Sequence, residues 1–362
     1  MGAPLAAGSR ELQPEHRGGP RTSGRGFGPV APTRVRHRLL CGGARGCGGH
    51  LRAARLPLSQ APVSDCYAAL MDSFAALPGG IALAAAGVLG LLIGSFLNVV
   101  IHRVPRGESV VHPPSHCPGC GRSVAPWENV PVLSYLWLRG RCRGCGMRIS
   151  LRYPAIELAT GLLFVLIVAR HGLAPMTPLY LLFAAGLVAA AAIDFDHRII
   201  PDRISIGGLL VALVLVPAAQ VASGQSLAWA LERTLAGALL GGGLLWAVGF
   251  AHARISVVMG RSFEHWPGDG EPHPRPGSLD YWTWFPGLGF GDVKLLAMIG
   301  AVLGPFGVLE ALIAAAFGGL VLGLGFAIAT RRFDAPFGFA PALALGALLV
   351  VLAPAGLQGL LG

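Results

Sequence analysis

Apolar stretches of membrane-spanning length recur along this chain, and no other feature so narrows the folds open to it. They lie near 78–101, 154–170, 176–194, 204–222, 232–252, 292–304, 306–329 and 337–357. A helix needs roughly 20 residues to cross about 30 Å of hydrocarbon, so the second and sixth stretches are short for the task. With 53% hydrophobic residues, 13% charged residues and a mean hydropathy of +0.61, the chain cannot hide its apolar surface in one water-facing globule. The expected fold is an all-α polytopic membrane protein of about eight transmembrane helices, with a cytoplasmic zinc-binding loop after the first helix.

Arginine placement sets the orientation. Residues 102–153, between the first two spans, hold Arg103, Arg106, Arg122, Arg139, Arg141, Arg143, Arg148 and Arg152. Positive loops stay in the cytoplasm. Alternation then puts Arg198 and Arg203, next Arg254, Arg261 and Arg275, and last Arg331 and Arg332 on the same side. Arg170 and Arg233, near the outer edges, are the imperfect cases. The formal charge of +10 therefore reports membrane orientation, and no soluble basic face remains to bind nucleic acid.

Three regions are expected. Residues 1–70 are rich in Gly and Pro, contain ten arginines and show no helix or strand period, which reads as a disordered or untranslated leader. The leader also lacks the compact basic start and apolar core of a signal peptide, so translation is expected to begin at Met71. Residues 71–153 carry the first helix and a cysteine loop. Residues 154–362 carry the remaining spans, broken by a polar, proline-rich insertion at 261–286. Its Trp266, Trp282 and Trp284 suit the membrane interface. His265 and His273 have no metal-like partners, and Cys41, Cys47 and Cys66 take no role.

Four other cysteines have ligand spacing. "CPGC" (Cys117, Cys120) and "CRGC" (Cys142, Cys145) stand 21 residues apart. Two such knuckles suit tetrahedral zinc, because each aims two thiolates at one point. A reducing cytoplasm disfavours disulfides. A redox dithiol is the competing reading. Gly119 and Gly144 are expected to permit the tight knuckle turns. Four thiolates close the coordination shell, which implies a structural ion.

Carboxylates at membrane depth are costly and usually pair or perform a task. Asp194 ends the third span, with Asp196 and Asp202 just beyond, and Asp292 begins the sixth, behind the two glycines of "GFGD". If adjacent, Asp194 and Asp292 would share a proton, one acting as base on water and the other polarising a peptide carbonyl. The glycines would let a substrate backbone approach. Asp202 reads most simply as an N-cap, Asp196 as a solvated loop charge, and Lys294, the chain's only lysine, as snorkelling or paired. On these residues alone, an aspartic peptidase and a transporter with an Asp194/Asp292 proton relay both stay open.

Further blocks decide between them. "GSFLNVVIHRVP" (94–105), the two cysteine knuckles, "PWENVPVLSYLWLRGRC" (126–142), "ISLRYPAIELATG" (149–161), "IDFDHRIIPD" (193–202) and "GFGDVKLLAMIGA" (289–301) occur in that order. Together they resemble the bacterial type IV prepilin peptidases, the bifunctional leader peptidase/N-methyltransferases of the GxGD aspartyl protease group. The resemblance covers nearly all of 85–350 and implies that Asp194 and Asp292 are the two catalytic aspartates. It implies cleavage, after a glycine, of the basic leader of type IV prepilins or type II secretion pseudopilins. The reaction would take place on the cytoplasmic side of the inner membrane, with membrane lipid as surroundings. It further implies methylation of the new N-terminal residue by S-adenosyl-L-methionine, with Gly140 at a position linked to that step. The sequence holds no Gly-rich Rossmann site, so the methyl donor rests on the resemblance. The chain departs from the family pattern in the leader 1–70 and in the bulky segment before Gly289.

Overall fold

The computed structural model describes residues 79–261, 263, 266, 272–286, 288–330 and 338–353. The leader 1–70, the proposed start at Met71, His265 and the pair Arg331 and Arg332 lie outside the described residues. Seven principal helices follow one another: α1 (Gly79–Arg103), α2 (Arg152–His171), α3 (Thr177–His197), α4 (Asp202–Ala222), α5 (Leu227–Val258), α6 (Phe290–Thr330) and α7 (Ala340–Leu352). Among the described residues there is no β-strand, only isolated bridges. Six of these helices, α1 to α6, are long and apolar enough to cross a membrane.

The count of eight spans is not reached by length, and α6 shows why. Gly304 interrupts it with φ 79° and ψ −179°, followed by Pro305. Gly241 of α5 lies against the backbone of Leu296 and, at 3.0 Å from an added Cβ, against Val308 Cγ2. Those two residues are 12 apart, which in a straight helix is about 18 Å. One glycine can touch both only because the chain folds back at Gly304. The two halves match the expected stretches 292–304 and 306–329. The first half is too short to be counted as a span, and α7 has only 13 residues.

Lipid provides no hydrophobic force between helices, so they associate by close backbone packing over small residues. That is where many of the 53 glycines go. A Cβ on Gly90 of α1 would lie 2.7 Å from Gly161 Cα, and one on Gly94 would lie 2.7 Å from Glu157 Cα, both on α2. Gly237 of α5 meets the Gly300 carbonyl, and Gly346 of α7 meets the Ala311 carbonyl. Around these contacts Ile167, Leu187, Leu295, Leu296, Ile299 and Leu343 form a fully buried core.

The two ends of the bundle differ. One gathers the C-termini of α1, α3 and α5 with the N-termini of α2, α4, α6 and α7, and it carries the cysteine loop and the insertion. At the other, the two arginines that fit the charge rule poorly find a use. Arg170 Nε donates to the Ala353 carbonyl at 3.0 Å, and Arg233 Nη2 to the Leu303 carbonyl at 2.6 Å, beside the Gly304 break. Both satisfy carbonyls left open where helices stop. In the insertion, Trp266 is 2% exposed against Ala253 and Phe285, which makes it a core residue in place of an interfacial anchor. Trp282 stacks on Phe250 of α5 at 5.4 Å between centroids.

Gly237→Val should therefore cost about 3 kcal/mol through overpacking against the Gly300 backbone. Gly243→Ala, with nothing within 4 Å, should be close to neutral. Thermal unfolding of both purified variants in one detergent checks this; equal midpoints would refute the packing contact.

Candidate active site and metal centre

Asp194 sits in the last turn of α3 and is 5% exposed. The helix ends four residues later, where Arg198 adopts φ 54° and ψ 36° and its N–H returns to the Asp194 carbonyl at 2.8 Å. Pro201 then fixes extended backbone before α4. The Asp194 side chain turns toward α7. Its Oδ2 accepts the N–H of Ala340 at 3.1 Å, one of the donors that a helix start leaves free. Gly338 passes so close that a Cβ there would collide with the Asp194 carboxylate.

Asp292 enters from the first turn of α6, its N–H bonded to the Gly289 carbonyl at 3.0 Å. It thus stands at the same end of the bundle as Asp194. Asp292 Oδ1 is buried and has no hydrogen-bond partner among the described residues. A buried oxygen left bare is costly and marks a place for a proton, a water or a substrate group. The two motif glycines divide their work. A Cβ on Gly289 would stand 3.4 Å from Asp292 Oδ2, on the carboxylate side, whereas one on Gly291 would stand 3.1 Å from Ile200. Gly291 thus admits the α3–α4 loop, leaving Gly289 as the glycine beside the carboxylate.

Other expectations change here. Asp202 is the first residue of α4, not its cap; Pro201 holds that place and makes no side-chain bond. The Asp202 carboxylate pairs with Lys294, two residues beyond Asp292, which ties the start of α4 to the start of α6. Asp196 lies within α3 and pairs with Arg152 at the start of α2, so it is no loop charge.

The four cysteines Cys117, Cys120, Cys142 and Cys145 converge, their sulfurs all within 4.8 Å of one another. The Cys117–Cys145 separation is 3.8 Å, and a tetrahedron with bonds of about 2.3 Å to sulfur has edges of about 3.8 Å. The donor set and its spacing fit such an ion. The two knuckles repeat one turn. Cys117 N–H meets the Arg122 carbonyl at 2.9 Å and Gly121 N–H the Cys117 carbonyl at 2.8 Å; Cys142 with Met147, and Gly146 with Cys142, do the same at 2.8 and 2.9 Å. The left-handed residues are Gly121 and Gly146, with φ 69° and 72°, and not Gly119 and Gly144. Those two instead give room to the opposite knuckle, where an added Cβ on Gly119 would lie 2.8 Å from Met147 Sδ and one on Gly144 3.3 Å from Arg122 Cδ. N–H groups of Cys145 and Gly144 draw the Cys142 thiol down to about 6.

Glu128 joins the knuckles, accepting Arg122 of the first at 2.9 Å and meeting Arg143 of the second at 3.6 Å. The hydrogen bond from Arg122 holds its carboxyl below the usual range. Gly140, at φ 65°, carries the chain into the second knuckle, and a Cβ there would come 2.7 Å from the Tyr135 hydroxyl. Glu157 of α2, 8% exposed, accepts the N–H of Val132 at 2.8 Å and so anchors the loop to the bundle. Sequence reasoning missed Glu128, Glu157, Gly338 and Ala340. An acid inside an apolar span signals Glu157, and Pro341 signals a helix start beside Ala340.

Comparison with known proteins gives the family. Residues 88–171 match the bacterial peptidase A24 N-terminal domain, and residues 181–324 match the type IV leader peptidase family. A prepilin leader peptidase/N-methyltransferase of Myxococcus xanthus is 39% identical over 269 residues, 71% of this chain and 69% of that protein. One from Burkholderia pseudomallei is 33% identical over 318 residues, 80% of this chain and 91% of its own. A type 4 prepilin-like proteins leader peptide-processing enzyme of Escherichia coli is 32% identical over 300 residues, 78% of this chain and 97% of its own. No solved structure matches.

Gly121→Ala and Gly146→Ala each put a Cβ into left-handed backbone with open space around it, and each should destabilise the loop by about 1 kcal/mol. Glu128→Gln should loosen both knuckles together. Labelling rates of the four thiols report each change; rates equal to wild type in all three variants would contradict the described turns and bridge.

Proposed function

Because the chain belongs to the type IV leader peptidase family, we propose that it cleaves the leader peptide of prepilins and N-methylates the residue so exposed. The observation that supports the peptidase half is the presence of two acids at one end of a helical bundle, Asp194 ending α3 and Asp292 beginning α6. Two such groups share one proton. The ionised member takes a proton from a water molecule, and that water attacks the scissile carbonyl. The protonated member donates to the carbonyl oxygen as it gains charge. Collapse of the tetrahedral species returns a proton to the leaving amine, and the pair is restored. Ala340 N–H keeps Asp194 in place, and the buried Oδ1 of Asp292, bare among the described residues, is the atom left to take up a proton. Gly289 leaves the backbone of the substrate room beside that carboxylate.

Both carboxylates stand at one end of the bundle, which favours a reaction centre over a relay through the membrane. Substrates are prepilins and, through the same chemistry at a short leader, type II secretion pseudopilins. The protein is a multi-pass membrane protein, and we place it in the bacterial inner membrane with dyad and cysteine loop facing the cytoplasm. The arginines at that end support the orientation. Residues 71–153 form the first helix and metal loop, and 154–362 the peptidase body. Cys117, Cys120, Cys142 and Cys145 hold zinc in a closed, structural site with no open position for water. S-adenosyl-L-methionine supplies the methyl group, and Gly140 shapes the loop tied to that step.

Asp194→Asn and Asp292→Asn should each lower cleavage of a co-expressed prepilin by at least about 100-fold while the protein still inserts. Gel mobility of the substrate is the readout, and normal processing by either inserted variant would sink the dyad. Gly338→Ala should act in the same direction by displacing the Asp194 carboxylate. Metal analysis of the purified protein should find one zinc per chain, lost in Cys117→Ser/Cys120→Ser with disordering of 117–145. Fully active protein free of zinc would overturn the metal assignment.

A further inference from the structure

Between the ends of α1, α2 and α3 lies a half-open cavity of about 420 Å³ that the dyad and the metal centre leave unused. It sits at the dyad's end of α3 but on the other side of that helix. Asp194 and Asp196 are two residues apart, a rotation of about 200° on a helix. Asp194 turns to α7 and Asp196 to Arg152 of α2. The cavity and the dyad are thus about one helix diameter apart, roughly 10 Å. Its rim continues into the segment leaving the second knuckle.

The walls carry both signs of charge. Arg106, at the end of the first helical segment, hydrogen-bonds the ring of His102 at 3.0 Å and presents a guanidinium. Arg152 occupies Oδ2 of Asp196, which leaves Oδ1 to meet a donor. Asn98 commits its amide protons to the carbonyls of Gly94 at 3.3 Å and Tyr153 at 3.2 Å, so it offers an acceptor oxygen. Tyr153 and His197 also line it. A matching ligand has a carboxylate and an ammonium at one end and a polar aromatic system at the other. Its size is that of cavities of about 300 to 1,000 Å³.

We propose that this cavity binds S-adenosylmethionine, an inference that rests on the methyltransferase reading above. Arg106 and His102 meet the α-carboxylate, Asp196 Oδ1 the ammonium, and Tyr153 and Asn98 the adenosine. Product released at the dyad then reaches the donor around a single helix end. An anionic lipid headgroup is the rival occupant, because an apolar groove along α2 and α3 adjoins the cavity and shares Arg152 and Asp196. A phosphate gains from the guanidiniums but is repelled by Asp196, whereas a zwitterionic amino acid uses both.

The test uses the full chain in nanodiscs of zwitterionic lipid, with S-adenosylhomocysteine as the calorimetric probe. Binding should fall at least tenfold in Arg106→Ala, His102→Ala and Tyr153→Ala, and stay at the wild-type value in Glu232→Gln on α5. Photo-crosslinking of radiolabelled S-adenosylmethionine to wild-type protein should mark peptides within 98–106, 150–153 or 196–197, and does not depend on any variant folding. Crosslinks elsewhere, or equal affinity in all variants, would overturn the cavity and leave the methyltransferase reading standing. So would loss of binding on adding anionic lipid with no crosslink in those peptides. Absence of binding would overturn the cavity as well. Methyl transfer from labelled donor to a prepilin is measured separately, and its failure alone counts against the methyltransferase reading.

Discussion

Hydrocarbon offers a polar group no partner, and the bundle is organised by that shortage. A helix that stops inside or beside lipid leaves carbonyls or N–H groups that something in the protein must meet. Arg170 and Arg233 meet carbonyls where α7 and the first half of α6 end. At the other end of the bundle the polarity is reversed, because α7 begins there and presents N–H groups. Asp194 accepts one of them. The same requirement that places two arginines against the charge rule also places an acid at the site, and Gly338 keeps the approach open.

The acid end is held from several sides. The Lys294–Asp202 pair joins α4 to α6, the Arg152–Asp196 pair joins α2 to α3, and Glu157 draws the cysteine loop onto α2. None of these pairs need be strong; exposed ion pairs contribute little to stability. Their effect is positional. They fix which helix ends are neighbours.

Much of this was legible in the chain. Apolar runs located the helices, arginines located their ends, and the two knuckles announced their convergence, because those signals are local. Asp194 and Asp292 stood out because an acid in an apolar run has few uses. What escaped was the pairing of residues distant along the chain. Ala340 is 146 residues from Asp194, and no periodicity connects them. A glycine inside a knuckle suggests the turn itself, but at Gly119 and Gly144 the need is space for Met147 and Arg122 of the opposite knuckle. Trp266 suggested a membrane interface by its type; its burial depends on how the insertion folds over α5. Asp202 looked like a cap, and the lone lysine claimed it.

The fold-back at Gly304 has a consequence for the membrane itself. From that apex to Asp292 is 12 residues, about 18 Å of helix, in a layer about 30 Å thick. With the apex at the outer boundary, the carboxylate lies about 12 Å short of the inner one. Such a hydrophobic mismatch is relieved by thinning of the bilayer around the short helix. In a bilayer so thinned, water would stand closer to Asp292, a residue at the foot of an apolar helix.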